Sequence, residues 1–234
     1  NIWKFPYITG ENGGGAFVII YILCVIFIGI PIMLAEVYLG KRGRLNPIAS
    51  IKYISDKEKR SKNWRIIGFM GILSGILILS YYAVISGWTM AYSVRTAFGN
   101  LNNIDATGAA AMFESLVSDP ERLLAWHTIF IIITAIVVAK GVKSGLESAV
   151  VRLMPALLVL LLALVIFSAI EGEFYDGLRF MLYPDFSQIT WKSVLIAMGQ
   201  AFFSLSLGMG ALMVYGSYLS SDISIPQTCV IVAL

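Results

Sequence analysis

Five long apolar runs constrain this chain more than any other feature of its sequence. They cover residues 16–40, 66–98, 123–140, 149–170 and 191–219. Crossing about 30 Å of hydrocarbon takes roughly 20 apolar residues in a helix, and each run approaches or exceeds that length. The chain is 58% hydrophobic and 13% charged, whereas soluble domains are about 45–50% apolar and roughly 25% charged. The sequence therefore predicts an all-α integral membrane protein, in contact with a lipid bilayer through five full spans.

Two shorter apolar segments flank these runs. The sequence opens on Asn1 in the middle of a helical pattern and ends within the apolar residues 229–234. We therefore expect a partial span at each end, and we expect the chain to be a portion of a longer protein.

The basic residues predict the orientation of the spans. Segment 41–65 holds nine of the 17 Lys and Arg residues, whereas segments 99–122 and 171–189 together carry eight acids against Arg122 and Arg179. Lys and Arg accumulate in short cytoplasmic loops. We therefore expect a multi-pass protein of the plasma membrane, with loop 41–65 cytoplasmic and loops 99–122 and 171–189 extracellular.

Charge and composition also exclude classes of function. The formal net charge of +3 follows from the topogenic excess of basic residues, so it does not indicate a nucleic-acid partner. With a single histidine, the chain cannot assemble a histidine-rich metal site. The sequence also contains no Cys–His cluster, no phosphate-binding glycine loop and no nucleophile elbow, and we expect no enzyme. Oligomeric state has no signal in the sequence.

Two segments contain residues that weaken helices. Segment 199–216 holds four glycines, each costing a helix about 1 kcal/mol relative to alanine. Such glycines indicate either close helix packing or an interrupted helix that lines a protected cavity. In the second segment, Gly145 and Pro155 are separated by nine residues near the start of a predicted span. They indicate either a hinge or an ordinary proline near a helix start.

Four motifs in order along the chain identify a family. They read NIWKFPYITGENGGGAF at 1–17, GWT at 87–89, YPDFS at 183–187 and GQAFFSLSLGMGA at 199–211. Together they resemble the neurotransmitter:sodium symporter family. The resemblance implies the inverted-repeat sodium symporter fold, with broken first and sixth helices. The single transporter domain would be partial over 1–234, running from mid-helix 1 to the start of helix 7, with 1–170 forming most of the first five-helix repeat and 190–234 starting the second.

The resemblance also implies ligand-binding residues. The sodium ion nearest the substrate would be bound by Asn1 and Ser204. The substrate would contact residues of the third and sixth helices, namely Ile78, Tyr82, Phe203, Ser204, Ser206 and Met209. In members that bind chloride, the matching positions are Tyr21, Gln200 and Ser204.

Further residues match positions that gate or brace the family fold. Tyr82 and Phe203 would close over the substrate, and Lys4 would form an extracellular gate with a carboxylate of a later helix. The family most often has arginine at this position, so Lys4 is a departure that loses the two-pronged guanidinium geometry. Glu36 would brace the broken helices through their backbone groups, the alternative being a proton-carrying carboxylate. The Gly145 to Pro155 segment would unwind to release an ion to the cytoplasm.

These matches imply sodium-coupled symport of a small amino acid, of hydrophobic or aromatic type, by alternating access. Four alternatives remain open at this point: a channel, a transporter-like receptor that binds in a sodium-dependent way without transport, a symporter of an amine, and a truncated, inactive product. Chloride is a further candidate ion.

Overall fold

Long apolar helices dominate the computed structural model, which describes residues 4–101 and 104–233. Within these residues, four helical segments are long and apolar enough to cross a membrane: Gly15–Gly43, Lys62–Ala97, Pro120–Ala139 and Ser144–Glu171. They correspond to the first four predicted spans, whereas the fifth predicted span is divided into two short helices. The chain separates into two units, one built from residues up to Ile76 and from Glu171 onward, the other from Leu77–Ile170.

The first unit begins with two helices joined by the glycine triplet. Helix α1 covers Lys4–Glu11 and helix α2 covers Gly15–Cys24. Gly13 and Gly14 have φ values of 94° and 58°, a left-handed conformation that glycine adopts without steric cost. A Cβ on Gly14 would lie 2.7 Å from the Phe180 ring, and one on Gly15 would collide with the Met181 carbonyl. The triplet therefore makes the turn and admits the close approach of residues 180–181.

Helix α2 continues through a π-helical turn at Val25–Gly29 into helix α3, Ile30–Gly43. Such turns insert an extra residue into an α-helix and are frequent at functional sites. A Cβ on Gly29 would lie 2.5 Å from Leu205 Cδ1, so this turn packs against the interrupted helix described below.

Each segment that the charge pattern predicts to be a loop contains a helix. Helix α4, Pro47–Lys57, lies within 41–65 and is capped by Asn46, which accepts a hydrogen bond from the Ala49 N–H. Helix α6, Ala106–Val117, lies within 99–122. Helix α9, Phe174–Leu182, lies within 171–189.

The second unit contains most of helix α5, Arg65–Ala97, followed by α6, by α7, Pro120–Ala139, and by α8, Ser148–Glu171. Trp88 of α5 packs edge-on against Phe113 of α6, with ring centroids 5.3 Å apart. Asp105 caps α6, and hydrogen bonds from the Thr107 hydroxyl and the Gly108 N–H hold the pKa of its carboxyl below the ordinary value. These contacts anchor the connection between two membrane spans.

The remaining helices of the first unit are α10, Trp191–Ser204, α11, Ala211–Tyr218, and α12, Ile225–Ala233. Thr190 and Ser193 form a capping box at the start of α10. Helix α11 packs closely on α3 through one glycine from each helix. A Cβ on Gly40 would collide with the Met213 carbonyl, and one on Gly216 would collide with the Val37 carbonyl. Lys41 Nζ then donates to the Ile223 carbonyl at 2.8 Å, at the turn before α12.

This paired glycine contact predicts a selective loss of stability. Gly40→Ala and Gly216→Ala should each lower the unfolding free energy by about 1–3 kcal/mol, because the added methyl meets backbone that cannot rotate away. Thermal unfolding of the purified protein in detergent measures the effect. Gly199→Ala is the matched control. Gly199 belongs to the same unit, and a Cβ on it would meet nothing within 4 Å. Equal unfolding temperatures for all three variants would contradict the assignment of close packing.

Candidate functional site

The centre of the site is the interruption between α10 and α11. Helix α10 ends with a pair of hydrogen bonds, from the Ser206 N–H to the Phe203 carbonyl at 3.2 Å and from the Leu207 N–H to the Phe202 carbonyl at 3.0 Å. This pattern is the Schellman motif, in which one residue takes the left-handed conformation. Ser206 has φ 56°, although such a conformation is rare for residues other than glycine. Residues 205–210 therefore leave the helix at a defined point.

Two glycines complete the interruption. Gly208 and Gly210 have φ values of 80° and 71°, and Gly210 precedes the first residue of α11. The composition of the glycine-rich segment 199–216 indicated either close helix packing or an interrupted helix, and the segment contains both. Gly208 and Gly210 interrupt the helix, whereas Gly216 supports close packing.

Glu36 contacts the interruption from α3. Its Oε1 accepts a hydrogen bond of 2.6 Å from the Gly208 N–H, a backbone group that has left the helical ladder. Its second oxygen, Oε2, is buried and has no hydrogen-bond partner among the described residues. A backbone polar group without a partner in the hydrocarbon region costs several kcal/mol, so this side chain offsets part of the cost of interrupting α10.

The first part of helix α5 also lies against the interruption. A Cβ on Gly71 would lie 3.3 Å from Gly210 N and 3.5 Å from the Gly208 carbonyl oxygen, whereas one on Gly75 would lie 3.6 Å from the Met209 carbonyl oxygen. Sequence reasoning missed both glycines. Their four-residue spacing places them on one helix face, and that spacing is the signal by which they could have been found.

The predicted gate residues Lys4 and Phe203 meet within the first unit. Lys4 Nζ lies 5.3 Å from the centroid of the Phe203 ring, within the range of a cation–π interaction. Next to Lys4, the ring of Phe5 packs against Tyr21 of α2 with centroids 4.9 Å apart. The start of α1 is therefore joined both to α2 and to the end of α10.

The predicted ion-binding residues lie on facing helices. Gln200, which is 4% exposed, and the half-buried Ser204 are one turn apart on α10, and α10 packs against α2, which carries Tyr21. Ser204 is also the last residue of α10, where the helix ends. Asn1, the other predicted sodium ligand, lies outside the described residues. Met209 and Ser206 belong to the interruption itself.

The other predicted substrate residues lie in the second unit. Ile78 and Tyr82 are one turn apart on α5, and the Tyr82 ring packs edge-on against Tyr81 with centroids 6.3 Å apart. The pairing of Tyr82 with Phe203 over a substrate stays a prediction.

Gly145 lies in a π-helical turn, Val142–Glu147, and Pro155 lies inside the helix that follows it. A Cβ on Gly145 would collide with the Val137 carbonyl at the end of α7. Gly145 is therefore required for close packing in this conformation. This packing is a reason for glycine at this position in addition to the predicted hinge flexibility. A Gly145→Ala variant alone would therefore not distinguish a packing role from a hinge role.

The fold and this site define a class: a multi-pass α-helical membrane protein in which one helix is interrupted beside a half-buried carboxylate, as in secondary transporters. Comparison with known proteins identifies the family within that class. The model of the sodium:neurotransmitter symporter family matches residues 1–108 and 113–234. The chain belongs to this family.

Individual relatives agree with that membership. The chain is 38% identical to the uncharacterized sodium-dependent transporter YhdH of Bacillus subtilis over 233 residues, which cover 100% of the chain and 51% of the relative. It is 38% identical to an uncharacterized sodium-dependent transporter of Haemophilus influenzae, over 98% of the chain and 51% of the relative. It is also 27% identical to the mouse sodium-dependent neutral amino acid transporter B(0)AT2, over 95% of the chain and 34% of the relative. The chain spans about half the length of the two bacterial relatives.

The two glycines of α5 predict different outcomes when each is replaced by alanine. Gly71→Ala places a methyl against the backbone at 208–210 and should weaken sodium-dependent substrate binding, at a cost of about 1 kcal/mol or more from overpacking. Gly75→Ala makes an ordinary van der Waals contact and should leave affinity nearly unchanged. Both variants gain about 1 kcal/mol of helix propensity, so Gly75→Ala is a matched control. Equal losses of affinity in equilibrium binding would contradict the prediction.

Proposed function

We propose that the protein carrying this chain is a sodium-coupled symporter that moves a small hydrophobic or aromatic amino acid by alternating access. Family membership supports sodium-dependent transport, and the name of the mouse relative refers to neutral amino acids. The observation that carries the proposal is the interruption of α10 at residues 205–210, with Glu36 bonded to the freed Gly208 N–H.

Sodium would bind where α10 ends. Ser204 supplies a neutral hydroxyl at that point, and backbone carbonyls after it no longer belong to a helical ladder. Neutral oxygen ligands suit a hard cation that must later be released. Asn1 would supply a further amide oxygen. Chloride is a second candidate ion, with Tyr21, Gln200 and Ser204 as its ligands.

The substrate would lie against the interruption. Phe203, Ser206 and Met209 would contact it from this side, and Ile78 and Tyr82 would contact it from α5, with the Tyr82 hydroxyl donating to the substrate carboxylate. The flexible thioether of Met209 adapts to side chains of different shape. An apolar wall of this kind favours hydrophobic or aromatic amino acids.

Access to the site would be controlled at both ends. Lys4 and Phe203, already in cation–π contact, would form the extracellular gate together with Tyr82. The segment from Gly145 to Pro155 would open the cytoplasmic route. In this proposal residues 1–170 form most of one five-helix repeat and residues 190–234 begin a second, inverted repeat of the same transporter domain.

Sodium replacement tests this function directly. The purified protein that carries the chain should bind radiolabelled tryptophan and leucine in sodium, and lose that binding when potassium replaces sodium at equal concentration. Sodium-driven uptake into sealed vesicles should accompany binding. Binding without uptake would establish a receptor instead, and binding of an amine in place of both amino acids would establish an amine symporter.

Met209 predicts the size of the accepted side chain. Met209→Phe should lower the ratio of tryptophan to leucine binding by about tenfold, because a rigid ring takes up space in the pocket and size discrimination in apolar pockets reaches that magnitude. Met154→Phe is the control, because Met154 is exposed on α8. A ratio unchanged by Met209→Phe would remove Met209 from the substrate pocket.

A further inference from the structure

A cavity of about 410 Å³ lies where two membrane helices end. Its walls come from the end of α3, from α4 and from the start of α5, all within the stretch of chain between Leu39 and Ile67. Its volume falls within the range of about 300–1,000 Å³ that is typical of small-molecule sites. The cavity is lined by none of the proposed sodium, substrate or chloride residues.

The cavity combines an apolar interior with one uncompensated cation. Ile51 and Ile54 of α4 are among the apolar lining residues, and Ser55, which is 5% exposed, adds a hydroxyl. Arg42 and Glu58 form an ion pair in the wall, so their charges offset each other. Arg60, which also lines the cavity, forms no side-chain hydrogen bond or ion pair in the part of the chain that the structure describes. This chemistry fits a ligand with a hydrocarbon part and a single negative charge.

The position of the cavity identifies the source of such a ligand. Trp64 lines the cavity and is 53% exposed, and tryptophan is enriched at the boundary between membrane and water. The surrounding segment 41–65 carries nine basic residues against two acids. Basic segments of this kind are attracted to the anionic lipids of the cytoplasmic leaflet. A phospholipid presents both an anionic headgroup and a hydrocarbon chain at this level.

We propose that this cavity binds an anionic phospholipid of the cytoplasmic leaflet. Arg60 contacts the phosphate, and Ile51 and Ile54 contact the first part of an acyl chain. The Arg42–Glu58 ion pair holds the end of α3 against the end of α4 and so keeps the cavity open. The inference is independent of the transported substrate.

Fluorescence of Trp64 tests the inference. The purified protein that carries this chain is reconstituted with phosphatidylglycerol or phosphatidylcholine brominated in the acyl chains, and the Trp64 signal is taken as the difference from a Trp64→Phe variant. Brominated phosphatidylglycerol should quench this signal more strongly than brominated phosphatidylcholine. Equal quenching by the two lipids would overturn the proposal.

Two charge variants separate the cavity from general surface attraction. Arg60→Gln should weaken the preference for phosphatidylglycerol by about fivefold, the effect expected of one basic residue at an anionic surface. Lys62→Gln removes the same charge from the same loop but does not line the cavity, so it should have a smaller effect. Equal effects of the two variants would overturn the proposal, as would displacement of the lipid by millimolar inorganic phosphate. Thermal unfolding in detergent, measured on both variants, verifies that they are folded without reference to the transported substrate.

Discussion

The hydrogen bond from the Gly208 N–H to Glu36 Oε1 is the contact on which the interrupted helix depends. Leaving the helix at residues 205–210 removes backbone hydrogen bonds at a depth where water does not replace them. An acidic side chain at that depth is itself costly. The two costs offset each other here, because the carboxylate accepts from a backbone N–H that would otherwise have no partner. The interruption and the half-buried Glu36 are therefore one structural feature.

Close backbone packing holds the interrupted segment in place from several sides. Gly29 admits the Leu205 side chain, Gly71 admits the backbone at 208–210, and Gly40 with Gly216 joins α3 to α11. Association of helices in a membrane depends on such packing, since lipid is as apolar as the side chains it replaces. The segment 205–210 is thus positioned by backbone contact and by the buried Leu205 and Leu207 side chains. Ser206 and Met209 are only partly buried.

The sequence predicted the membrane class and the first four spans from composition and apolar length alone. The interruption of α10 was different, because four glycines in one run indicate packing as readily as a break. Only the family resemblance favoured the break, and the structure contains both, at Gly208 and at Gly216. The spacing of Gly71 and Gly75 indicates a close approach on one face of α5, but it does not identify the partner, which is distant in sequence. The left-handed Ser206 was not predictable, since it depends on the geometry of the helix end.

At Lys4, a local contact determines which interactions of arginine a lysine can replace. A lysine in place of arginine loses the paired hydrogen bonds that a guanidinium offers to a carboxylate. It keeps its charge, however, and here the ammonium lies over the Phe203 ring at 5.3 Å. A cation–π interaction requires a positive charge above the ring and no particular fork of donors. Lysine can therefore hold Phe203 at the end of α10 as arginine would. The strength of an ion pair between Lys4 and a carboxylate would depend more on distance than on orientation.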